Sequence, residues 1–424
     1  MATSSPGTGR VSAAGHWDTS YEWKIILILS IAFGLVGLDR FVLPVLAPAM
    51  MRDLGMTNAD VGNLVGILAV AWGIAAFVMG YMSDRVGRRK VLIPAVVVFS
   101  LMSALSGIAA GVGMLLIIRA LMGIAEGPVA STGVAVAVEA SHPSRRGMNN
   151  GIFQCMISMF GLALGPLIAT QLLQFTNWRT VFMIVGVPGL IVAVVMYFVV
   201  RDPVARKTTD GTPAPRASFG ELFAHRNVPL AMLTLMCAMT GIFVMAAMMQ
   251  VYLENYLKLP TVQAGYVYSA IGFGGCLGQF GVPAISDVIG RKPATVLSFI
   301  IAAIFLYLYA NTGAESLSML FGLLFVAAMF NFAALAILAG PIAAEAAPIG
   351  MVASVAGLVI GAGEVFGGGI APAIAGRIAD AYGLHATLIF AIGGQVVGIA
   401  LSMLLKETAP RKIGTVQLEA AAAR

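Results

Sequence analysis

The sequence predicts an all-α membrane protein, with twelve transmembrane helices arranged as two six-helix bundles. Three observations lead there. Of 424 residues, 59% are hydrophobic and only 10% charged, with a mean hydropathy of +0.93, whereas a soluble domain carries about 25% charged residues. The apolar residues fall into long runs, and a hydrocarbon core of roughly 30 Å is crossed by about 20 helical residues. A loop motif also recurs in the two halves of the chain, on either side of the longest polar segment. This composition excludes a soluble enzyme.

Taken in order, the runs predict spans over 24–50, 58–82, 91–110, 112–138, 148–172 and 179–200, then 228–257, 262–284, 293–312, 315–340, 352–379 and 385–405. Residues 1–22, MATSSPGTGRVSAAGHWDTSYE, are small and polar and lack the apolar core of a cleavable signal peptide, which predicts a loose cytoplasmic tail. Between the two sixes lies RDPVARKTTDGTPAPRASFGELFAHRN, rich in Pro, Gly and charge, which predicts a linker. The predicted organisation is therefore a tail (1–22), an N-terminal bundle (23–200), a cytoplasmic linker (201–227), a C-terminal bundle (228–405) and a second cytoplasmic tail (406–424). Cys155, Cys237 and Cys276 all fall inside apolar runs without metal-ligand spacing, so they are expected to be packing residues and no metal site is expected.

Lysine and arginine placement predicts orientation, because cytoplasmic loops hold their excess. One set of loops carries Arg85, Arg88, Arg89, Lys90, Arg145, Arg146, Arg201, Arg206, Lys207, Arg216, Arg226, Arg291 and Lys292, and the tails on that side add Arg10, Lys24, Lys406, Arg411, Lys412 and Arg424. The opposite loops hold Arg52, Arg179, Lys258 and Arg377. Both termini are thus predicted to be cytoplasmic, in a cell membrane of the bacterial inner-membrane kind. Bases scattered over short loops form no single patch, which argues against a nucleic-acid partner.

The halves echo each other. SDRVGRRK (83–90) and SDVIGRK (286–292) both fit S-D-x-x-G-R-[RK], 203 residues apart. Glu139, Pro143, Gly147 and Met148 after the fourth span are echoed by Glu345, Pro348, Gly350 and Met351 after the tenth. Such an internal repeat is the mark of a duplicated six-span unit.

Six plus six spans, GYMSDRVGRRK with its copy SDVIGRK, and GPLIATQLLQFTNWRTVF after the fifth span resemble the major facilitator superfamily over nearly the whole chain. More narrowly, LDRFVLPVLAP in span 1 and RALMGIAEGP in span 4 resemble the anion:cation symporter family, which carries organic anions with protons or sodium. Span 7 departs from that family, reading YLENYL where a Trp-Leu-Pro-x-Tyr-Leu run is usual and keeping Leu253, Tyr256 and Leu257. The loop SHPSRRG keeps the proline and an arginine but not the preceding aromatic. The resemblance implies the major facilitator fold, transport by alternating access, and roles in substrate binding and proton coupling for Asp39, Arg40, Arg119 and Glu126. It also implies a substrate-side aromatic near Trp72, for which packing or lipid contact is an equal alternative, and a gating latch at Asp84, Arg85 and Arg88, with Asp287 in the repeated loop.

The intramembrane charges carry the chemistry. A lone charge at mid-bilayer costs about 2.5–3.5 kcal/mol on insertion scales, so Asp39, Arg40, Arg119 and Glu126 facing lipid would cost on the order of 10 kcal/mol. They are expected to face each other or a watery cavity. Arg119 and Glu126 share one helix face roughly 10 Å apart, with Gly123 between them and Gly127 beside it to admit a neighbouring helix. Asp39 and Arg40 point about 100° apart. Pro44 removes the donor for the Arg40 carbonyl, and Pro48 the donor for the Pro44 carbonyl, so span 1 is expected to break or bend there. Arg40 and Arg119, permanently charged forks, are candidate clamps for an anionic substrate. Asp39 and Glu126 would pair with them when ionised and release them when protonated, which makes proton and anion binding mutually favourable. Glu364 in GAGEVFGGG is a third candidate coupling carboxylate, while Asn331 and Tyr256 are candidate hydrogen-bonding residues, as are Tyr252 and Asn255.

No G-K-[ST] stretch occurs, so direct ATP coupling is unsupported, and His16, His142, His225 and His385 sit in tails, loops or span ends, which leaves carboxylates to carry protons. The reading is a secondary transporter importing a small organic anion, an aromatic or sugar acid, with protons. Sodium is the alternative ion, and no other cofactor and no enzymatic activity is expected. The expected partners are the acid and the lipid bilayer, with the chain acting as a monomer. A proton-driven drug or metabolite exporter is the alternative, suggested by GLALGP (161–166). A non-transporting membrane sensor is a rival of another class, for which the 22-residue tail is expected to be too short to signal.

Overall fold

The structure, a computed structural model, describes residues 18–142, 146–201, 223, 225–346 and 352–409. Most of both predicted tails and of the linker lie outside the described residues, as do the side chains of Asp84, Arg85 and Asp287.

Among the described residues the chain forms twelve helices. The first six are α1 (Thr19–Leu54), α2 (Asn58–Val86), α3 (Arg88–Ser106), α4 (Val112–Ala140), α5 (Arg146–Met156 running through Ile157–Leu164 into Gly165–Leu172) and α6 (Trp178–Val199). The second six are α7 (Asn227–Val251, extended by Tyr252–Tyr256), α8 (Thr261–Ile289), α9 (Arg291–Ala310), α10 (Leu317–Ile337, continuing through Leu338–Ile342), α11 (Val352–Gly363, Glu364–Ile370 and Ala371–Tyr382) and α12 (Leu384–Met403). Each overlaps a predicted run, with ends that differ by a few residues. Eleven are long and apolar enough to cross a membrane. The other, α8, has the length at 29 residues but spends it on glycines and on Gln263 and Gln279. The chain is a multi-pass membrane protein.

Local sequence explains the helix ends. Thr57 and Asp60 form a reciprocal capping box at the start of α2, with Asp60 N–H donating to Thr57 Oγ1 at 3.2 Å and Thr57 N–H to Asp60 Oδ2 at 2.8 Å. The S-D-x-x-G motif ends α2 and α8 alike, because Gly87 and Gly290 turn the chain at φ +110° and +108°, where a side chain would be strained. In both copies the following arginine reaches back. Arg88 donates to Ser83 Oγ at 2.9 Å and pairs with Glu139 at 3.0 Å, while Arg291 donates to Ser286 Oγ at 2.6 Å and pairs with Glu345 at 3.1 Å. The internal repeat is therefore one duplicated Ser–Arg–Glu tie.

Small residues set the packing. A Cβ on Gly127 would stand 2.7 Å from Ala76 N and Trp72 O, which fixes α4 tightly against α2 as the glycine spacing predicts. Glycines at 274 and 278 do the same for α8 against α10. Two wide turns are related by the repeat, since Gly165 N–H bonds Phe160 O and Ala371 N–H bonds Phe366 O, five residues back, just before Pro166 and Pro372. The stretch GLALGP is thus a duplicated packing element. Gly161 seats α5 on Gly37 of α1.

The bundles meet closely towards the end opposite the basic loops. Glycines 62, 66 and 376 bring α2 onto α11 at Pro372, Gly369 and Asn58, and glycines 265 and 272 bring α8 onto α5 at Thr170 and Ala163. Asp380 of α11 closes this seam, accepting from Asn58 N at 3.0 Å, Asn58 Nδ2 at 2.7 Å and Ala59 N at 2.9 Å.

Candidate functional site

Helix α1 carries the site through its middle. The expected break is absent: α1 runs unbroken for 36 residues through Pro44 and Pro48. The reason lies on α4. Arg119, fully buried, donates from Nη2 to the Arg40 carbonyl at 2.8 Å and from Nη1 to the Asp39 carbonyl at 3.0 Å. The carbonyl that Pro44 leaves without its helical donor is thereby satisfied by a charged one.

Asp39 and Arg40 diverge as adjacent helical residues must. Asp39 turns to α3 and accepts from Ser103 Oγ at 2.7 Å. Arg40 turns to the other bundle and pairs with Glu364 Oε2 at 2.8 Å, with side chains only 3% and 7% exposed. Its guanidinium carbon lies 4.6 Å from the ring centroid of Phe243 on α7, 5.4 Å from Trp72 on α2 and 5.7 Å from Phe41. Phe41 and Phe243 stack across the bundle interface at 6.1 Å. Rings and a carboxylate together hold the charge out of water, as a buried cation requires.

Glu126 is fully buried on α4, within electrostatic reach of Arg40, Asp39 and Arg119, and neither of its oxygens has a hydrogen-bond partner among the described groups. The sequence expects Asp39 and Glu126 to pair with the arginines. In this state the carboxylate partner of Arg40 among the described residues is Glu364, from the opposite half.

Six of the predicted site residues therefore come together: Asp39, Arg40, Trp72, Arg119, Glu126 and Glu364. Asn331 and Tyr256 do not join them. Asn331 is buried behind α7, its amide oriented to donate to the Ala238 carbonyl and to accept from Gln395 Nε2, so that it ties α10 to α7 and α12. Tyr256 lies roughly 20 Å along α7 from Phe243, half exposed and stacked on Tyr252 at 4.9 Å. Of the gating candidates, Arg88 makes the intrabundle tie to Glu139, while the side chains of Asp84, Arg85 and Asp287 lie outside the described residues.

Sequence reasoning missed Phe243, Ser103 and Gln395. Phe243 sits in the apolar run IFVMAA with nothing to set it apart. The Arg119 contacts did have a signal, since a carbonyl orphaned by Pro44 in a buried helix demands a donor.

Known proteins agree with this architecture. A bacterial homologue of the human lysosomal transporter Spinster, in an inward-facing and unoccupied conformation, superposes with a TM-score of 0.78 over 91% of this chain and 96% of its own at 18% identity, and so shares the fold. A probable 4-methylmuconolactone transporter of Cupriavidus pinatubonensis is 30% identical over 89% of this chain and 88% of its own. The hexuronate transporter of Bacillus subtilis is 30% identical over 49% of this chain and 48% of its own. Residues 29–363 match the Major Facilitator Superfamily, and the chain belongs to that superfamily of membrane transporters.

Proposed function

We propose that the protein moves a small organic carboxylate inward together with a proton, with Arg40 as the anion clamp and Glu364 as the group that exchanges places with the substrate. The observation that carries this reading is the buried Arg40–Glu364 pair at 2.8 Å, which joins the two bundles inside an aromatic enclosure. Ionised Glu364 occupies the guanidinium edge that a substrate carboxylate needs. Protonated, it gives up that edge, so the proton and the anion bind in mutual support. Losing one partner of a buried pair costs about 3–5 kcal/mol, so Glu364 leaves only when a proton and an incoming anion compensate both charges. Arg119 acts as a positioning residue that fixes the backbone beneath Arg40, and Glu126, without a hydrogen-bond partner among the described residues, is a second proton acceptor on the same path. Sodium is the alternative ion. The basic loops and both termini face the cytoplasm of a bacterial inner membrane, and one chain suffices for transport. The carboxylate-bearing cargoes named for the relatives support the substrate class.

Proteoliposomes test this directly. With an inward proton gradient, a panel of organic acids should include at least one whose uptake is accelerated, and Arg40→Ala should abolish that uptake. Gradient-driven efflux of the acid would favour the exporter reading, and no Arg40-dependent flux of any acid would end the proposal.

A further inference from the structure

The start of α1 and the end of α6 lie side by side at the end of the molecule that carries the basic loops, and a cleft of about 260 Å³ opens between them. Lys24 and Arg201 both line it, both are exposed, and neither has a carboxylate partner among the described residues. Arg201 is held in place: its guanidinium carbon stands 4.9 Å from the ring centroid of Tyr21, and its backbone N–H donates to Tyr21 Oη at 3.4 Å. The acidic residue in the lining, Asp18, is engaged at the start of α1, where its Oδ1 accepts from Tyr21 N–H at 3.0 Å. Two cations against one carboxylate leave the cleft with one positive charge in excess. Beside it the surface turns apolar. Phe198 forms part of the rim at 77% exposure, and Leu27 on α1 and Val194 on α6 are also exposed. Trp23 and Tyr197, exposed on the same two helices, are the amphipathic aromatics that settle at a membrane–water boundary. The cleft therefore lies at headgroup level, where its neighbour is lipid.

We propose that this cleft is a binding site for the headgroup of an anionic phospholipid, with the phosphodiester between Lys24 and Arg201 and the acyl chains along the exposed apolar faces of α1 and α6. An anionic phospholipid brings the single negative charge that the cleft lacks. A choline head carries its own cation, which would add a positive charge beside Lys24 and Arg201 while Asp18 is occupied at the helix end. The guanidinium offers paired N–H donors to phosphate oxygens, and the lysine a mobile point charge. At about 260 Å³ the cleft falls short of the roughly 300–1,000 Å³ of pockets that enclose a whole ligand, so it takes a head and leaves the chains in the bilayer. Basic pockets between transmembrane helices hold lipid headgroups by this chemistry. Lys24 lies on the first helix and Arg201 follows the sixth, so the lipid staples the first helix of the N-terminal bundle to its last. The site is separate from the Arg40 clamp and stands whichever cargo the protein carries.

Native mass spectrometry of the full-length protein released from detergent, with dioleoylphosphatidylglycerol or dioleoylphosphatidylcholine added at equal concentration, tests the site. The wild type should hold the glycerol lipid at least about tenfold more tightly than the choline lipid. The double variant Lys24→Gln, Arg201→Gln should bring that ratio close to one. Lys292→Gln with Lys406→Gln, which removes the same charge from the same end of the molecule, should keep the wild-type ratio. Lys24→Gln alone should fall between, and it carries the test if the double variant fails to fold. Equal retention of the two lipids by the wild type overturns the proposal, as does a double variant that keeps the preference. An equal loss in the Lys292 and Lys406 variant also overturns it, by showing general attraction to a basic face in place of a site. Inorganic phosphate alone, should it raise the unfolding temperature as much as the glycerol lipid does, would assign the cleft to free phosphate and overturn the lipid.

Discussion

At the scale of single residues, the two arginines of the site do different work. Arg119 makes up for a proline. Replacing it with methionine strands the Arg40 carbonyl, and an unsatisfied buried acceptor costs about 1–3 kcal/mol. Thermal unfolding in detergent should show that loss, and Pro44→Ala, which restores an N–H to the same carbonyl, should recover part of it in the double variant. Additive losses would mean that the two residues do not share the carbonyl. Arg40 and Glu364 give the second prediction. Lower pH favours the neutral carboxyl and frees Arg40, so the affinity of the wild type for its anion should rise as pH falls. Glu364→Gln cannot ionise, so its affinity for the same anion should change less with pH than the wild type's in the same titration, the remaining dependence belonging to Glu126. The sequence exposes these charges because ionisable residues stand out in apolar runs. It leaves the partner of Arg40 hidden, because Glu364 lies more than three hundred residues away and nothing local joins them.

Elements were more legible than their contacts. Apolar runs bounded by Thr57, Gly87, Asn177 and Gly290 mark helix ends because capping and positive φ are local chemistry. The break expected in α1 was not found, since a proline's cost can be met from another helix and no reading of α1 alone reveals that. The seam between α2 and α11 shows the same dependence. Asp380 places a carboxylate on the first N–H groups of α2, where an anion is stabilised by the helix end by roughly 0.3–1 kcal/mol and by the hydrogen bonds themselves. Asp380→Ala removes both contributions and loosens the seam at that end. Hydrogen–deuterium exchange of the Asn58–Asp60 amides should accelerate severalfold in the variant while the middle of α4 stays protected. Unchanged exchange at Asn58 would show that the glycine contacts alone hold the seam.

Across the whole molecule, the duplication was readable because the S-D-x-x-G-R loop survives in both halves, and the Ser–Arg–Glu ties at Arg88 and Arg291 show why those residues travel together. How the halves dock was not readable, because it depends on which glycines face each other across the bundles. One pair of residues turns that docking into a measurement. Cys155 on α5 and Cys276 on α8 come from opposite bundles and their thiols are neighbours, in the same antiparallel register that sets Gly151 against Phe280 and Gly272 against Ala163. Two equivalents of a membrane-permeant copper(II) complex, each taking one electron and becoming copper(I), should join the two thiols as a disulfide with release of two protons. Trypsin acting on the basic segment between Arg201 and Arg216 would then leave halves that remain together on a non-reducing gel and separate with dithiothreitol. If transport requires the bundles to rock about α5 and α8, the oxidised protein should lose uptake, reduction should restore it, and Cys155→Ser should be indifferent to the oxidant. Full uptake by the cross-linked protein would instead place the moving seam elsewhere, leaving α2 and α11 as the pair that must part.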